Sequence, residues 1–142
     1  MKSIYNQATE VSKLINPKEV EKYTHSSKWL IRQEAIKRLG EIGDSISVKR
    51  LIKMLKTSQD KYDIIYAISS LGKLKDKSAV QILLKYVDSR NSDVANGSIY
   101  ALGEIGDKSV IPYLEKRISS PRLKIYIEEA LKKLRRSRSL LK

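Results

Sequence analysis

The chain has 142 residues, 41% hydrophobic and 32% charged, a length and composition that suit one soluble domain with its own core and argue against a disordered segment. It has no cysteine, which excludes disulfides, thiolate chemistry and cysteine-ligated zinc and points to a cytoplasmic setting. Lys and Arg number 29 against 16 Asp and Glu, for a net charge of +13, and residues 108–142 carry 11 of these cations with only 3 acids.

In chain order, residues 3–15 predict a helix with Ile4, Ala8, Val11, Leu14 and Ile15 on its apolar side. Asn16-Pro17 breaks it, and a short helix is expected over 18–25. There is no charged segment followed by an apolar run at the start, and no run reaches the roughly 18 to 20 apolar residues that span a bilayer. Neither a leader nor a membrane partner is expected.

From residue 27 onward the sequence repeats itself. Leu39, Leu71, Leu102 and Leu134 are 32, 31 and 32 residues apart, and each ends a similar apolar segment. Gly40, Gly72 and Gly103 follow the first three, then Ile42, Leu74 and Ile105, then Asp44, Asp76 and Asp107. A fixed period near 32 indicates stacked supersecondary units. Each unit reads as two helices. The first carries an i, i+3, i+4, i+7 stripe, as in Val48, Leu51, Ile52 and Leu55 or Val80, Leu83, Leu84 and Val87. In the third copy, Ile111, Leu114 and Ile118, the stripe is interrupted by Glu115. Ser47, Ser78 and Ser109 are expected as N-caps, with Pro112 in a first turn. The second helices are expected to start after Ser27, Ser58, Ser89 and Ser120, with Pro121 at a first helical position. Gly40, Gly72 and Gly103 are read as their ends. Gly97 is the one glycine inside a helix, which suggests a close helix contact there. No stretch alternates with period two, so no sheet is expected.

The expected fold is therefore all-α: a solenoid of about four helix pairs with residues 1–16 as an N-terminal capping helix. Repeat boundaries are placed at 17–44, 45–76, 77–107 and 108–136, followed by a basic tail over 137–142. Residues 27–44, SKWLIRQEAIKRLGEIGD, and 100–107, YALGEIGD, with Ser109-Val-Ile-Pro-Tyr-Leu114 after them, resemble the HEAT-like repeat of phycobilisome bilin lyases. The resemblance runs from residue 18 to about 136. It implies a scaffold whose second helices line a concave, partner-facing side. The Val-Arg step usual in that second helix occurs as Ile31-Arg32 and is replaced at Ile64, Ala95 and Ile127.

No catalytic constellation or cofactor is expected. The one histidine, His25, has no Cys or acid at ligand spacing and is expected on the surface. The HEAT-like deoxyhypusine hydroxylases hold two irons with His-Glu pairs. The matching positions here are Gly40-Glu41, Gly72-Lys73 and Gly103-Glu104, which lack the histidines. The expectation is a non-enzymatic protein-binding scaffold or adaptor. Its candidate concave-face residues are Lys37, Tyr62, Tyr66, Tyr100 and Lys132, which share one face of the second helices with the acids Glu34, Asp93 and Glu129. Against this stands the plainer view that these tyrosines fill half-buried inter-helix space. Trp29 is expected to pack across to the preceding helix rather than to anchor a partner.

The alternative function is an accessory protein binding nucleic acid through its basic C-terminal end. That set comprises Arg117, Arg122, Lys124, Lys132, Lys133, Arg135, Arg136 and Arg138. A terminal helix also needs a polar outer face, and cations suit a helix C-terminus, which explains many of these charges without any ligand.

Overall fold

The computed structural model describes residues 1–136, and Arg138 and the rest of the expected basic tail lie outside them. Among the described residues nine α-helices follow one another: α1 (Ile4–Ser12), α2 (Pro17–Tyr23), α3 (Trp29–Ile42), α4 (Ser45–Thr57), α5 (Lys61–Leu74), α6 (Val80–Val87), α7 (Ser92–Ile105), α8 (Ile111–Glu115) and α9 (Lys124–Arg136). Short 3₁₀ turns lead into α6 and α8, and no strand occurs among the described residues.

The helices form two layers of a solenoid. In one, α3, α5, α7 and α9 lie side by side, extended at the N-terminal end by α1; in the other are α2, α4, α6 and α8. Helices of the first layer pack against one another much more closely than those of the second. We call the exposed side of the first layer the inner face. Leu39, Leu71, Leu102 and Leu134 are wholly buried between the layers, as their spacing implied. Each fully buried leucine contributes roughly 1.5 to 3 kcal/mol of hydrophobic stabilisation. The capping helix buries Ala8 and Val11 but ends at Ser12, so Ile15 is 80% exposed and not part of its apolar side.

The helix ends differ from expectation in an instructive way. Asp44, Asp76 and Asp107 are the caps, and their carboxylates accept from the backbone N–H groups of Ser47, Ser78 and Ser109 at 2.8, 2.8 and 2.9 Å. The serines sit two or three residues too late to cap. Ahead of α3, α5 and α7, the side chains of Ser26, Ser58 and Ser89 accept from the amide two residues on, and the helix starts later than a serine cap would place it. Pro121 lies in a turn before α9.

Nor do Gly40, Gly72 and Gly103 end their helices. These run two residues further and close on left-handed Gly43 (φ 65°), Lys75 (φ 55°) and Gly106 (φ 77°). The Leu-Gly glycines instead let neighbouring second helices approach. A Cβ on Gly72 would lie 3.0 Å from the Ala101 Cβ, and one on Gly40 would lie 2.8 Å from the Ser70 Cβ. At Gly97, the position expected to permit a close contact, an added Cβ would meet only Ile68 Cγ2 at an ordinary 3.7 Å.

Polar locks join consecutive units. Arg32 donates to Asp63 at 2.8 Å and Asp60 at 3.1 Å; Arg117 donates to both oxygens of Asp88 at 2.7 and 2.8 Å. The Tyr86 hydroxyl donates to the Leu55 carbonyl, and that of Tyr113 to the Leu84 carbonyl at 3.0 Å. These two tyrosines fill inter-helix space.

Candidate functional site

Four positions per second helix, at offsets −9, −5, −2 and +2 from the repeat leucine, define the inner face. Along α5 these are Tyr62, Tyr66, Ser69 and Lys73; along α7 they are Asp93, Gly97, Tyr100 and Glu104. Helical periodicity aligns them because residues three and four apart share a side of the helix. Tyr62, Tyr66 and Tyr100 are 55%, 43% and 62% exposed, so none of the three is the half-buried filler that Tyr86 and Tyr113 are.

The sequence-derived set falls into two places. Tyr62 and Tyr66 line a hollow of about 360 Å³ with Trp29, Gln33 and Asp60. Tyr100 belongs to a second region on the α7–α9 side. There a hollow of about 460 Å³ is lined by Ile65, Ser69, Asp93, Asn96, Tyr100 and Tyr126, among others, and an adjoining one of about 320 Å³ by Tyr100, Tyr126, Glu129 and Lys133. The Lys133 ammonium sits 4.5 Å over the Tyr100 ring and pairs with Glu104. Lys37 is exposed but lines none of these three hollows, and Lys132 is paired with Glu129 at 3.4 Å.

Trp29 overturns its expectation. It is the first residue of α3 and is 58% exposed rather than packed on the preceding helix. Tyr126 and Ile125, 43% and 65% exposed, complete the aromatic and apolar content of this side and were not singled out from the sequence. Ile125 aligns with Tyr62 at offset −9, a signal that was available.

The C-terminal cations are less free than their number suggests. Arg117 is held by Asp88 and lies 3.5 Å over the Tyr113 ring, and the Asp88 hydrogen bond raises its pKa further. Arg122 donates to the Ser89 carbonyl at 3.1 Å. Lys124 lies 4.0 Å from Glu128, and Arg135 lies 3.8 Å from Glu115. By contrast α4 bears no acid. Its exposed Lys49, Lys53 and Lys56, at i, i+4 and i+7, have no ion pair among the described residues. Its other cation, Arg50, is turned onto Glu21 at 2.9 Å, with its N–H not aimed at the oxygen. This ridge lies on the layer opposite the inner face.

Two carboxylates near Arg32 behave oppositely. The Asp63 amide, chiefly, holds Asp60 below the usual carboxylate range; burial lifts Asp63 above it despite the adjacent guanidinium. His25 is exposed and borders a hollow of about 390 Å³ shared with Asp63. No cluster of three or more His, Cys, Asp or Glu arranged to hold a metal occurs among the described residues. No described helix is long and apolar enough to cross a membrane.

Stacked helix pairs, close glycine contacts between second helices and an exposed inner face define a helical-repeat scaffold. Residues 48–135 match the HEAT repeats family and residues 31–57 match the PBS lyase HEAT-like repeat. The chain belongs to the HEAT repeat family. No curated protein matches it. Among solved structures it is similar to human deoxyhypusine hydroxylase in complex with glycerol, with 18% identity and a TM-score of 0.77, over 87% of this chain and 45% of that one. It is also similar to the complex of CpcE and CpcF of phycocyanin lyase from Nostoc sp. PCC7120, with 21% identity and a TM-score of 0.73, over 94% and 61% of the two chains. An engineered protein gives 20% identity and a TM-score of 0.67, over 91% and 70%. At these identities the likeness establishes the fold alone, and this chain spans less than two thirds of the hydroxylase and lyase chains.

Proposed function

We propose that the chain is a non-catalytic adaptor that holds a partner protein along its inner face. The observation that carries this is the exposed aromatic row Trp29, Tyr62, Tyr66, Tyr100 and Tyr126 on the second-helix layer, interspersed with charges of both signs. Large exposed aromatic side chains with a mixed polar surround are what protein interfaces use as anchors. Alternating acids such as Asp93, Glu104 and Glu129 suit a polypeptide better than a polyanion. The phycocyanin lyase relative is itself a complex of two subunits, which supports a protein partner. The positions matching the hydroxylase His-Glu pairs carry glycine where histidine would be needed, which supports a non-catalytic role.

Affinity capture with the intact chain, run with and without nuclease, tests this. A partner retained after nuclease and lost on Tyr66→Ala with Tyr100→Ala, in variants with an unchanged melting temperature, is the expected outcome. Retention unaffected by both substitutions places binding elsewhere.

A second reading, contact with nucleic acid, draws support from the unpaired lysine ridge on α4 more than from the C-terminal cations. Three phosphate contacts would give a log–log salt slope of about −2.7 on duplex DNA. Lys49→Gln, Lys53→Gln and Lys56→Gln together are expected to abolish such binding. Equal binding by the triple variant and the original chain refutes this reading of the ridge.

A further inference from the structure

We propose that the hollow lined by Trp29, Gln33, Asp60, Tyr62 and Tyr66 is a cage for a weakly hydrated organic cation, a guanidinium or quaternary ammonium group presented by the partner on the inner face. This rests on the adaptor reading and supplies the partner's chemistry. Three aromatic side chains, each between 43% and 58% exposed, border one hollow of about 360 Å³. That is room for a side-chain head group and too little for a folded element. Aromatic faces carry negative quadrupole charge and attract cations whose hydration is easily lost.

Tyrosine rings in this chain already hold cations of its own. The Lys133 ammonium lies over Tyr100, the Arg117 guanidinium over Tyr113, and the Lys61 ammonium 5.0 Å over Tyr62. Lys61 is not part of the hollow's lining, and Trp29 and Tyr66 have no stacked cation among the described residues. The wall also carries an acid. Asp60 accepts from the Tyr62 and Asp63 amides at 2.8 and 3.3 Å and from Arg32 at 3.1 Å, and stays ionised at neutral pH. Arg32 is shared with Asp63, so one guanidinium faces two carboxylates there. An apolar anchor would gain nothing from the acid; a cation uses both the rings and the carboxylate.

Trp29 is the only tryptophan, so its emission reports this hollow in the intact chain. At constant ionic strength the protein is titrated with Nα-acetyl-arginine amide, with tetramethylammonium, and with tert-butanol as a neutral shape match. Saturable change with either cation and none with tert-butanol is expected. The responding cation then identifies an arginine-type or a quaternary-ammonium-type occupant. Tyr66→Leu and Tyr62→Leu should each weaken binding about two- to fivefold, while Tyr23→Leu, exposed on α2 and outside the hollow's lining, leaves it unchanged. A response equal for tert-butanol, or insensitive to Tyr66→Leu, overturns the cage. Saturable cation binding without Tyr66- and Tyr100-dependent capture sinks the adaptor reading but not the cage. Capture without a cation response does the reverse.

Discussion

Gly72→Ala and Gly97→Ala should move stability in opposite directions. Both glycines lie inside helices, where alanine is intrinsically favoured by about 1 kcal/mol. At Gly97 the new methyl meets only Ile68 Cγ2 at 3.7 Å, so the propensity gain stands and the variant should be about 0.5 to 1 kcal/mol more stable. At Gly72 the methyl would sit 3.0 Å from the Ala101 Cβ and 3.1 Å from its Cα. Both atoms belong to the α7 backbone or its first carbon, so relief requires moving α7 away from α5. Overpacking of this kind costs about 2 to 3 kcal/mol, and the alanine propensity offsets about 1, leaving a net loss of roughly 1 to 2 kcal/mol. For a chain of this size that corresponds to about 3 to 6 °C in melting temperature. Urea denaturation followed by helical circular dichroism, with the slope unchanged between variants, provides the measurement. A Gly72→Ala protein more stable than the original, or a Gly97→Ala protein that loses more than about 1 kcal/mol, would refute the assignment of close approach to the Leu-Gly glycines.

Leu39→Asp, Leu71→Asp or Leu102→Asp should each cost upwards of about 4 kcal/mol, because each places a charge at a wholly buried position. Aspartate at exposed Lys37 or Ser69 should stay within about 0.5 kcal/mol; comparable melting shifts at the two sets would show the helix faces to be wrong. Lys75 holds a left-handed conformation where the equivalent turns use Gly43 and Gly106, so Lys75→Gly should stabilise by about 0.5 to 1 kcal/mol in the same denaturation assay. Acidification should destabilise. Amide and side-chain hydrogen bonds hold the caps Asp44, Asp76 and Asp107 below the ordinary carboxylate value, and the Arg117 hydrogen bond does the same for Asp88. Their contribution is complete above the unfolded value of about 3.9 and is lost as pH falls through the folded values. Asp63 acts in the opposite sense, since its raised value makes protonation in acid favour the folded state. Melting temperatures between pH 6 and 2 should therefore fall, and less steeply in Asp44→Asn/Asp76→Asn/Asp107→Asn, where asparagine keeps the caps without the titration.

Much of the architecture was legible in residue order alone. The 31- and 32-residue spacing of four leucines implied stacked helix pairs, and all four leucines are wholly buried. Helical phase put Tyr62, Tyr66 and Tyr100 on one side of the second helices but left open whether they were half-buried, and the structure exposes all three. These are local properties: one helix's periodicity determines which of its own sides is apolar, whatever lies beyond it.

Relations between helices were not readable in this way. Glycine at a Leu-Gly step fits a helix end and a close helix contact equally well, and only the position of Ala101 or Ser70 on the next helix decides between them. The C-terminal cations count as charge in the sequence, but Asp88, Glu104 and Glu115, which pair with Arg117, Lys133 and Arg135, come from 20 to 29 residues earlier in the chain. Trp29 and Tyr66 are 37 residues apart and border one hollow because α3 and α5 lie side by side. Periodicity sets the side of each helix a residue occupies; what stands opposite it is settled by inter-helix packing, which brings together residues a full repeat apart.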